Sequence, residues 1–208
     1  MQFVNRFMRI FSKILSYLNT IKKIFDKLLQ NVIKYAKMYA RSKKSMPKVL
    51  KNSYGIIIMN KWDKRFIQLA KEVSTWSSCY QENRQVGAVI VKDNRIITTG
   101  YNGAPSGVSS CKERGECLRR KMNIPSGTRH EFCYAVHADQ NAIAQAAKLG
   151  ISVEGATLYC THQPCVICAK MIINAGIMRV VYKNGYPDEF SLRLFEESGV
   201  SVEKYEEE

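Results

Sequence analysis

Hydrophobic residues recur at helical spacing and then in short apolar runs along the chain from Lys61 onward. A predicted first helix, over about 62–78, has an apolar face that runs from Phe66 to Val73. Two short apolar strands, "VGAVIV" and "RIITTGYN", follow this helix. The tripeptide "KDN" joins them, and such a short polar connection predicts a β-hairpin.

The second half of the chain alternates predicted helices with predicted strands. In order they are a helix over about 136–149, a strand over 156–161, a helix over 165–176, a strand over 178–183, a helix near 188–198 and a strand over 200–205. Gly150 and Gly176 end the first two of these helices. Two hairpin strands followed by alternating helices and strands predict an α/β fold with one mixed sheet covered by helices. A long loop rich in Gly, Pro and Cys lies between about 103 and 131.

The N-terminal part of the chain has a different pattern. Apolar residues recur at helical spacing between Phe3 and Ile33, with Lys and Arg between them, which predicts an amphipathic helix. One interpretation is that residues 1–33 contact a membrane surface or a partner protein. We favour the interpretation that these residues are a poorly folded extension. Such an extension is explained if the start of the chain was assigned too far upstream. Because "MNKWDKRFIQLAKEVS" opens naturally at Met59, we predict an extension over 1–58 and a compact domain over 59–208.

The net charge of +14 is unevenly distributed. Residues 1–60 hold 13 Lys and Arg against one acid, Asp26, whereas residues 61–208 hold the other 19 against 17 acids. The two parts therefore carry charges of +12 and +2. A nearly neutral domain lacks the electrostatic footprint of a nucleic-acid-binding surface, so we expect no nucleic acid partner.

All seven cysteines follow residue 78, at Cys79, Cys111, Cys117, Cys133, Cys160, Cys165 and Cys168. An odd number that includes a Cys-x-x-Cys pair, with histidines nearby, favours metal ligation in a reducing compartment over a disulfide framework. The sequence shows no cleavable signal peptide and no apolar run long enough to cross a bilayer. We therefore expect a cytoplasmic protein.

The strongest candidates for chemistry lie where two predicted helices begin. His137 opens one helix, and Cys165 and Cys168 lie in the first turn of another. One His and two Cys bind zinc with the fourth tetrahedral position open, which is typical of a catalytic site, and zinc lowers the pKa of a bound water to about 7. Asp139, two residues after His137, is placed to take the proton of that water. The alternative is that His137, Cys165 and Cys168 are ordinary buried core residues without a metal. The combined spacing of the two motifs disfavours this alternative.

Four stretches of the chain resemble the deoxycytidylate deaminase family, including its bacterial late-competence members that are named for an operon. They are "RQVGAVIVKDNRIITTGYNGAPSG", "CYAVHADQNAIAQAA", "GATLYCTHQPCVICAKMIINAGIMRVVY" and "GYPDE". The resemblance covers about Asn60 to Val202. It implies the cytidine-deaminase-like three-layer fold, with about five strands in a mixed sheet and helices on both faces. It also implies zinc-dependent conversion of dCMP to dUMP and ammonia, a homo-oligomer, and regulation by dCTP and dTTP.

The same resemblance assigns roles to individual residues. His137, Cys165 and Cys168 would hold the zinc, and Asp139 would stand at the proton-shuttle position, where the family has Glu. The backbone N–H of Ala138 would contact the pyrimidine carbonyl, and Asn102 would hold the deoxyribose. Arg84 is a further candidate, for the phosphate, although a solvated surface charge is the interpretation we favour for it.

A second zinc is a further expectation. Five residues with metal-ligating side chains lie at the end of the first helix or in the long loop, namely Cys79, Cys111, Cys117, His130 and Cys133. A loop that buries little apolar surface gains order from a metal, so we predict a structural zinc held by four of these five. Some phage members of the family carry an additional zinc, and they have cysteines at the positions that match Cys79 and Cys111. Separate free thiols are the alternative.

Because Asp139 stands where the family has Glu, the sequence does not determine how active the enzyme is. Aspartate is one methylene shorter than glutamate, so its oxygens retract by roughly 1.5 Å. Such a displacement predicts a weakened enzyme rather than an inactive one. Two alternatives remain: a non-catalytic nucleotide sensor with an intact pocket, and a nucleic-acid cytidine deaminase that uses the basic extension.

Overall fold

A computed structural model of the chain describes residues 22–23, 29–30, 61–186 and 188–206. The chain divides into two compact units, Met1–Lys51 and Asn52–Glu208. The predicted boundary between 58 and 59 lies outside the described residues, as does the amphipathic helix predicted over 3–33, apart from four helical, exposed positions. None of the helices in the described ranges has the length and hydrophobicity that crossing a bilayer requires.

One five-stranded mixed sheet is the centre of the second unit, as predicted. Its strands are β1 (Gly87–Lys92), β2 (Arg95–Tyr101), β3 (Thr157–His162), β4 (Arg179–Asn184) and β5 (Ser201–Lys204). They lie in the order β2-β1-β3-β4-β5. β1 is antiparallel to both β2 and β3, whereas β3, β4 and β5 are parallel. Asp93 and Asn94 turn the hairpin with φ of 51° and 58°, the left-handed values that a two-residue hairpin turn requires.

Six α-helices accompany the sheet in the described part of the chain. They are α1 (Lys61–Ser74), α2 (Cys111–Arg114), α3 (Leu118–Lys121), α4 (Ala138–Leu149), α5 (Val166–Asn174) and α6 (Glu189–Ser198). The four longer helices were predicted. α1 ends four residues earlier than predicted because the chain continues in tight turns, with the Trp76 amide donating to the Val73 carbonyl at 3.2 Å.

The long loop contains more regular structure than the sequence analysis gave it. Besides α2 and α3 it holds a 3-10 helix at His130–Phe132. α2 begins with a capping box, in which Ser110 and Glu113 each accept a hydrogen bond from the other's backbone amide. This pattern was readable in the sequence as Ser-x-x-Glu.

Helices cover both faces of the sheet, which confirms the three-layer arrangement. On one face, Phe66 and Ala70 of α1 pack in a cluster that includes Val89 and Val181 of the sheet. On the other face, α4, α5 and α6 contribute Ala142, Ile172 and Phe195 to a cluster that includes Ile90, Leu158 and Val180. Successive residues Val89 and Ile90 thus face opposite cores, as the two-residue period of a strand dictates.

Glycine allows α4 to lie directly on the sheet. A Cβ at Gly100 of β2 would come within 2.3 Å of the Ala138 carbonyl oxygen and 2.4 Å of the Ala142 amide. No larger residue fits between this strand and the first turns of the helix. The close contact fixes the position of that first turn, which carries Asp139.

Candidate active site

Two helix starts bring the predicted metal ligands together. His137 is the N-cap of α4 and Cys165 is the N-cap of α5, both with extended backbone, and Cys168 lies in the first turn of α5. The His137 amide donates to Gln140 Oε1 at 3.0 Å. The Val166 amide donates to Asp188 Oδ2 at 2.7 Å. Side-chain acceptors therefore satisfy an otherwise unpaired amide at each helix start.

The three ligand atoms have the spacing of a tetrahedral metal site. Cys165 Sγ lies 3.7 Å from Cys168 Sγ, and the two sulfurs lie 3.5 and 3.4 Å from His137 Nδ1. Zinc bonds of about 2.3 Å to sulfur and about 2.0 Å to nitrogen at tetrahedral angles place two sulfurs about 3.8 Å apart, and sulfur and nitrogen about 3.5 Å apart. The residues therefore fit a zinc ion with one coordination position left for a non-protein ligand.

The protonation preferences of these residues suit metal binding. The hydrogen bond with Cys168 is the main cause that lowers the pKa of Cys165 to about 3, and the hydrogen bond with His137 contributes to the same shift. The hydrogen bond to Cys165 raises the pKa of His137, and the same pairing raises the pKa of Cys168. Cys165 is therefore the sulfur that most readily becomes a thiolate, which is the form that ligates metals.

Asp139 lies beside the ligand cluster in the first turn of α4. The residue is 4% exposed, and its Oδ1 is buried without a hydrogen-bond partner among the described residues. Burial raises the pKa of its carboxyl group, while hydrogen bonds from the thiols of Cys160 and Cys168 oppose the shift. A carboxyl group with one oxygen free is suited to exchange a proton with a ligand.

A cavity of about 490 Å³ connects the predicted site residues. This volume is within the usual range for small-molecule sites. His137, Asp139 and Cys165 line it together with the three residues predicted to contact the substrate, which are Arg84, Asn102 and Ala138. Lining residues that the sequence analysis did not select include Arg119, His162, Gln163 and Tyr186.

Asn102 is held tightly at the cavity wall. Its Oδ1 accepts hydrogen bonds from the Val86 amide at 2.8 Å and from Ser77 Oγ at 2.7 Å. Its Nδ2 donates to the Arg84 carbonyl at 2.8 Å. One hydrogen of this amide group remains to donate to a ligand. The Arg84 side chain is exposed and donates from Nη1 to Ser126 Oγ at 2.7 Å.

His130 lies next to the predicted zinc ligand His137. Its ring meets the His137 ring edge-on, with centroids 5.0 Å apart, and it lines the cavity. Among the described residues, His137, Cys165 and Cys168 form the only set of three or more His, Cys, Asp or Glu ligand atoms within 4.8 Å of one another. Sequence proximity to Cys133 suggested a shared role for His130, and sequence proximity does not report which way a side chain points.

The sequence profile of one family spans most of the described domain. A profile described as the cytidine and deoxycytidylate deaminase zinc-binding region matches residues 60–184, which include His137, Asp139, Cys165 and Cys168. The chain belongs to this family. Zinc as the cofactor of the His137 cluster agrees with the family's description and with the ligand geometry.

Two curated members of the deaminase family each match about 70% of this chain. Deoxycytidylate deaminase of Schizosaccharomyces pombe is 36% identical over 145 residues, which are 69% of this chain and 44% of that protein. ComE operon protein 2 of Bacillus subtilis is 37% identical over 146 residues, 70% of this chain and 71% of that protein. The resemblance to deoxycytidylate deaminases and their late-competence members is therefore confirmed. The chain spans less than half the length of the S. pombe protein.

A solved structure confirms the deaminase fold. The dCMP deaminase of the cyanophage S-TIM5, in complex with dCMP and dUMP, is 32% identical with a TM-score of 0.57. The match covers 71% of this chain and 99% of that one.

Proposed function

We propose that the protein is a zinc-dependent deaminase that hydrolyses dCMP to dUMP and ammonia in pyrimidine deoxynucleotide metabolism. The observation that carries the proposal is the tetrahedral spacing of His137, Cys165 and Cys168 beside Asp139, in a cavity of nucleotide size. The cyanophage enzyme with dCMP and dUMP bound supports this choice of substrate.

Each site residue has a definite task in this proposal. A zinc ion on the three ligands supplies a Lewis acid that activates water for attack on the pyrimidine ring. Asp139 accepts a proton at its unpaired oxygen and returns it to the departing ammonia. The Ala138 amide, at the start of α4, has no partner within the helix and donates to the pyrimidine carbonyl. Asn102 donates its remaining N–H to the deoxyribose.

The number of zinc ions is part of the proposal. Burial raises the pKa of the Cys79 thiol, and the thiols of Cys133 and Cys117 raise it further. The pKa of Cys111 is raised in the same way, by burial and then by Cys133, Cys79 and Cys117. Among the described residues, no three of the five predicted ligand atoms lie within 4.8 Å of one another. A structural zinc would therefore require the thiols to move closer together, and we propose the four cysteines as its ligands because their charges influence one another.

The proposal also covers the oligomeric state, the effectors and the cellular location of the protein. All seven cysteines are free thiols, which supports a reducing, cytoplasmic location. Trp76 is 60% exposed and meets Tyr101 edge-on, and Ile96 on the edge strand β2 is 51% exposed. An apolar surface of this kind favours contact with a second copy, as in a homo-oligomer. Regulation by dCTP or dTTP rests on the family resemblance.

Ammonia release from dCMP, with and without zinc, tests the function. We expect turnover that chelation abolishes and added zinc restores, and we expect Cys165→Ala to lose both the zinc and the activity. Full turnover by Cys165→Ala contradicts the proposal. Because Asp139 replaces the family's Glu, a non-catalytic sensor is the second candidate. It is distinguished by dCTP binding, measured by calorimetry, in a protein that does not deaminate dCMP.

A further inference from the structure

The Ser77 hydroxyl joins the end of α1 to the wall of the cavity. Ser77 follows the last residue of α1 by three positions and is 1% exposed, so water does not compete for its hydroxyl. Its Oγ donates to Asn102, with Oδ1 at 2.7 Å and the carbonyl oxygen at 2.9 Å. The Cys79 amide donates to the same Oγ at 3.2 Å. The single hydrogen of the hydroxyl is therefore directed at Asn102, with the shorter contact at Oδ1.

The side-chain amide of Asn102 is fixed in one orientation by its partners. Oδ1 accepts from Ser77 Oγ and from the Val86 amide at 2.8 Å, which uses both of its lone pairs. Nδ2 donates one hydrogen to the Arg84 carbonyl at 2.8 Å, and its other hydrogen remains for a ligand in the cavity that Asn102 lines. An exchange of the two amide atoms would place Nδ2 against the Val86 N–H and Oδ1 against the Arg84 carbonyl. Asn102 therefore presents a donor, and not an acceptor, to a ligand.

Close packing of α1 on β1 determines where Ser77 lies. A Cβ at Gly87 would collide with the Ala70 carbonyl oxygen, so the last turns of α1 lie directly on the start of β1. Val86 precedes this glycine, and its carbonyl accepts a hydrogen bond from the Asn102 amide nitrogen at 3.1 Å. The distance between Ser77 and Asn102 is thus set by backbone contacts, which a ligand in the cavity does not have to rearrange.

A single, fixed amide donor suits the hydroxyl group of a deoxyribose. The 3′-hydroxyl is the free hydroxyl of the sugar in dCMP, and its oxygen accepts a hydrogen bond from an amide. Asn102 lines the same cavity as Ala138 and His137, so a nucleotide with its pyrimidine beside the metal ligands has its sugar in this cavity as well. Without the Ser77 hydroxyl, Oδ1 would keep one of its two donors and the amide would be held less rigidly. Loss of such preorganisation lowers affinity.

We propose that Ser77 is a positioning residue, whose hydroxyl holds the Asn102 amide so that it donates to the 3′-hydroxyl of the substrate. The proposal rests on the proposed function and deepens it, because it names the sugar atom that is recognised and the residue that prepares the contact. Ser77 is not among the residues that line the cavity, so it acts through Asn102. The protein should therefore distinguish a nucleotide that has a 3′-hydroxyl from one that lacks it, and the distinction should depend on Ser77.

Ser77→Ala tests the proposal with two substrates, dCMP and 2′,3′-dideoxycytidine 5′-monophosphate (ddCMP), which lacks the 3′-hydroxyl. A hydrogen bond between neutral groups contributes roughly 2- to 10-fold to affinity. We expect the wild-type KM for ddCMP to exceed that for dCMP by about this factor. Ser77→Ala should raise KM for dCMP roughly 2- to 10-fold, with little change in kcat and no change in KM for ddCMP. Ser77→Ala added to Asn102→Ala should raise KM no further, because the two residues act as one unit.

Ser74→Ala is the matched control, since Ser74 is also buried and its Oγ donates within the same helix, to the Lys71 carbonyl at 2.6 Å. It should leave both KM values unchanged. Equal KM values for dCMP and ddCMP in the wild-type protein would overturn the proposal, as would a Ser77→Ala variant that raises both equally. Ser77→Cys fills the same space with a weaker donor and should also raise KM for dCMP alone, which keeps the test decisive if Ser77→Ala does not fold.

Calorimetric binding of dUMP and of 2′,3′-dideoxyuridine 5′-monophosphate separates this proposal from the proposed function. A protein that prefers dUMP, and loses the preference in Ser77→Ala, without turning over dCMP keeps the positioning role and refutes the deaminase. A protein that deaminates dCMP but binds the two uridine nucleotides equally keeps the deaminase and refutes the positioning role of Ser77.

Discussion

The carboxylate of Asp188 bridges the starts of two helices, with Oδ2 2.7 Å from the amide nitrogen of Val166 in α5 and Oδ1 3.0 Å from that of Ser191 in α6. The first of these helices carries both sulfur ligands. A carboxylate at a helix start satisfies unpaired amides and complements the positive end of the helix dipole. Asp188 therefore holds the Cys165–Cys168 turn in place without contacting the metal ligands through its own side chain.

Asp188→Ala should weaken both the fold and the metal site. Loss of two caps is expected to cost roughly 1–3 kcal/mol of unfolding free energy, because each cap contributes about 1 kcal/mol. Zinc should dissociate faster, since the turn that presents both sulfurs loses its anchor. Chemical denaturation and release of zinc to a colorimetric chelator measure the two effects. Glu189→Ala, at the exposed neighbour, is the control, and equal behaviour of the two variants would contradict the capping role.

Arg179 joins four elements on the face of the sheet that α1 covers. Its guanidinium donates to Asp63 Oδ1 of α1 at 2.7 Å and to Glu203 Oε1 of β5 at 2.9 Å. The Tyr159 hydroxyl of β3 donates to the same Asp63 oxygen at 2.7 Å. Both carboxylates are almost fully buried, so their charges depend on the guanidinium.

Arg179→Ala should destabilise the protein by about 3–5 kcal/mol, because it removes the guanidinium that pairs with two buried carboxylates. Urea denaturation followed by circular dichroism gives the free energy. The exposed pair Lys204–Glu206 provides the control, and Lys204→Ala should stay within about 0.5 kcal/mol of wild type. A loss of stability as small as that of the control would show that the buried ion cluster is unimportant.

Cys111→Ser should reduce the metal content from about two zinc ions per chain to about one, because the structural site loses a ligand. Metal analysis by mass spectrometry gives the count. His130→Ala is the matched comparison and should keep both ions. Loss of one zinc in His130→Ala would place that residue among the ligands and contradict the four-cysteine assignment.

Much of the fold and the catalytic cluster was predictable from sequence, because local spacing determines them. The order of strands and helices follows from apolar periodicity, and the Pro-Cys-x-x-Cys turn follows from a helix start. His137 lies next to this turn because α4 packs against β2 at Gly100. Apolar periodicity does not predict this contact, and only the resemblance of the motifs could suggest it.

The cavity wall was not predictable in the same way. Arg119 and Tyr186 are 67 residues apart, and each is an ordinary polar residue in the sequence. Their significance lies in unpaired buried atoms, which only three-dimensional packing reveals. His130 was grouped with the thiols by proximity in sequence, whereas the 3-10 turn at His130–Phe132 directs its ring to His137.

Deletion of residues 1–58 should leave folding and dCMP turnover unchanged, because α1 begins at Lys61 and supplies the apolar contacts of its face of the sheet. Thermal unfolding and steady-state kinetics of the shortened protein test this. Deletion of residues 1–70 is the contrasting variant, since it removes Phe66 and Ala70 from the core and should prevent folding. Loss of activity on removal of 1–58 alone would make the extension part of the functional domain.

Asp139→Glu should raise kcat for dCMP by roughly 10²-fold, about 2.7 kcal/mol of barrier, because the added methylene carries a carboxylate oxygen roughly 1.5 Å further. The Oδ1 of Asp139 is buried and has no hydrogen-bond partner among the described residues. Affinity for dCMP should change little, since Asn102 and the Ala138 amide are untouched, so the gain should appear in kcat rather than KM.

Asp139→Asn provides the control for this comparison, because it keeps the length of the side chain and removes its basic oxygen. We expect it to retain zinc and lose turnover, which separates proton transfer from metal binding. If Asp139→Glu leaves both kcat and KM unchanged, the backbone already compensates for the shorter acid and the protein is an ordinary enzyme. If Asp139→Glu stays inactive while dCTP binds, the protein is a nucleotide sensor, because restoring the family's acid does not then restore the chemistry.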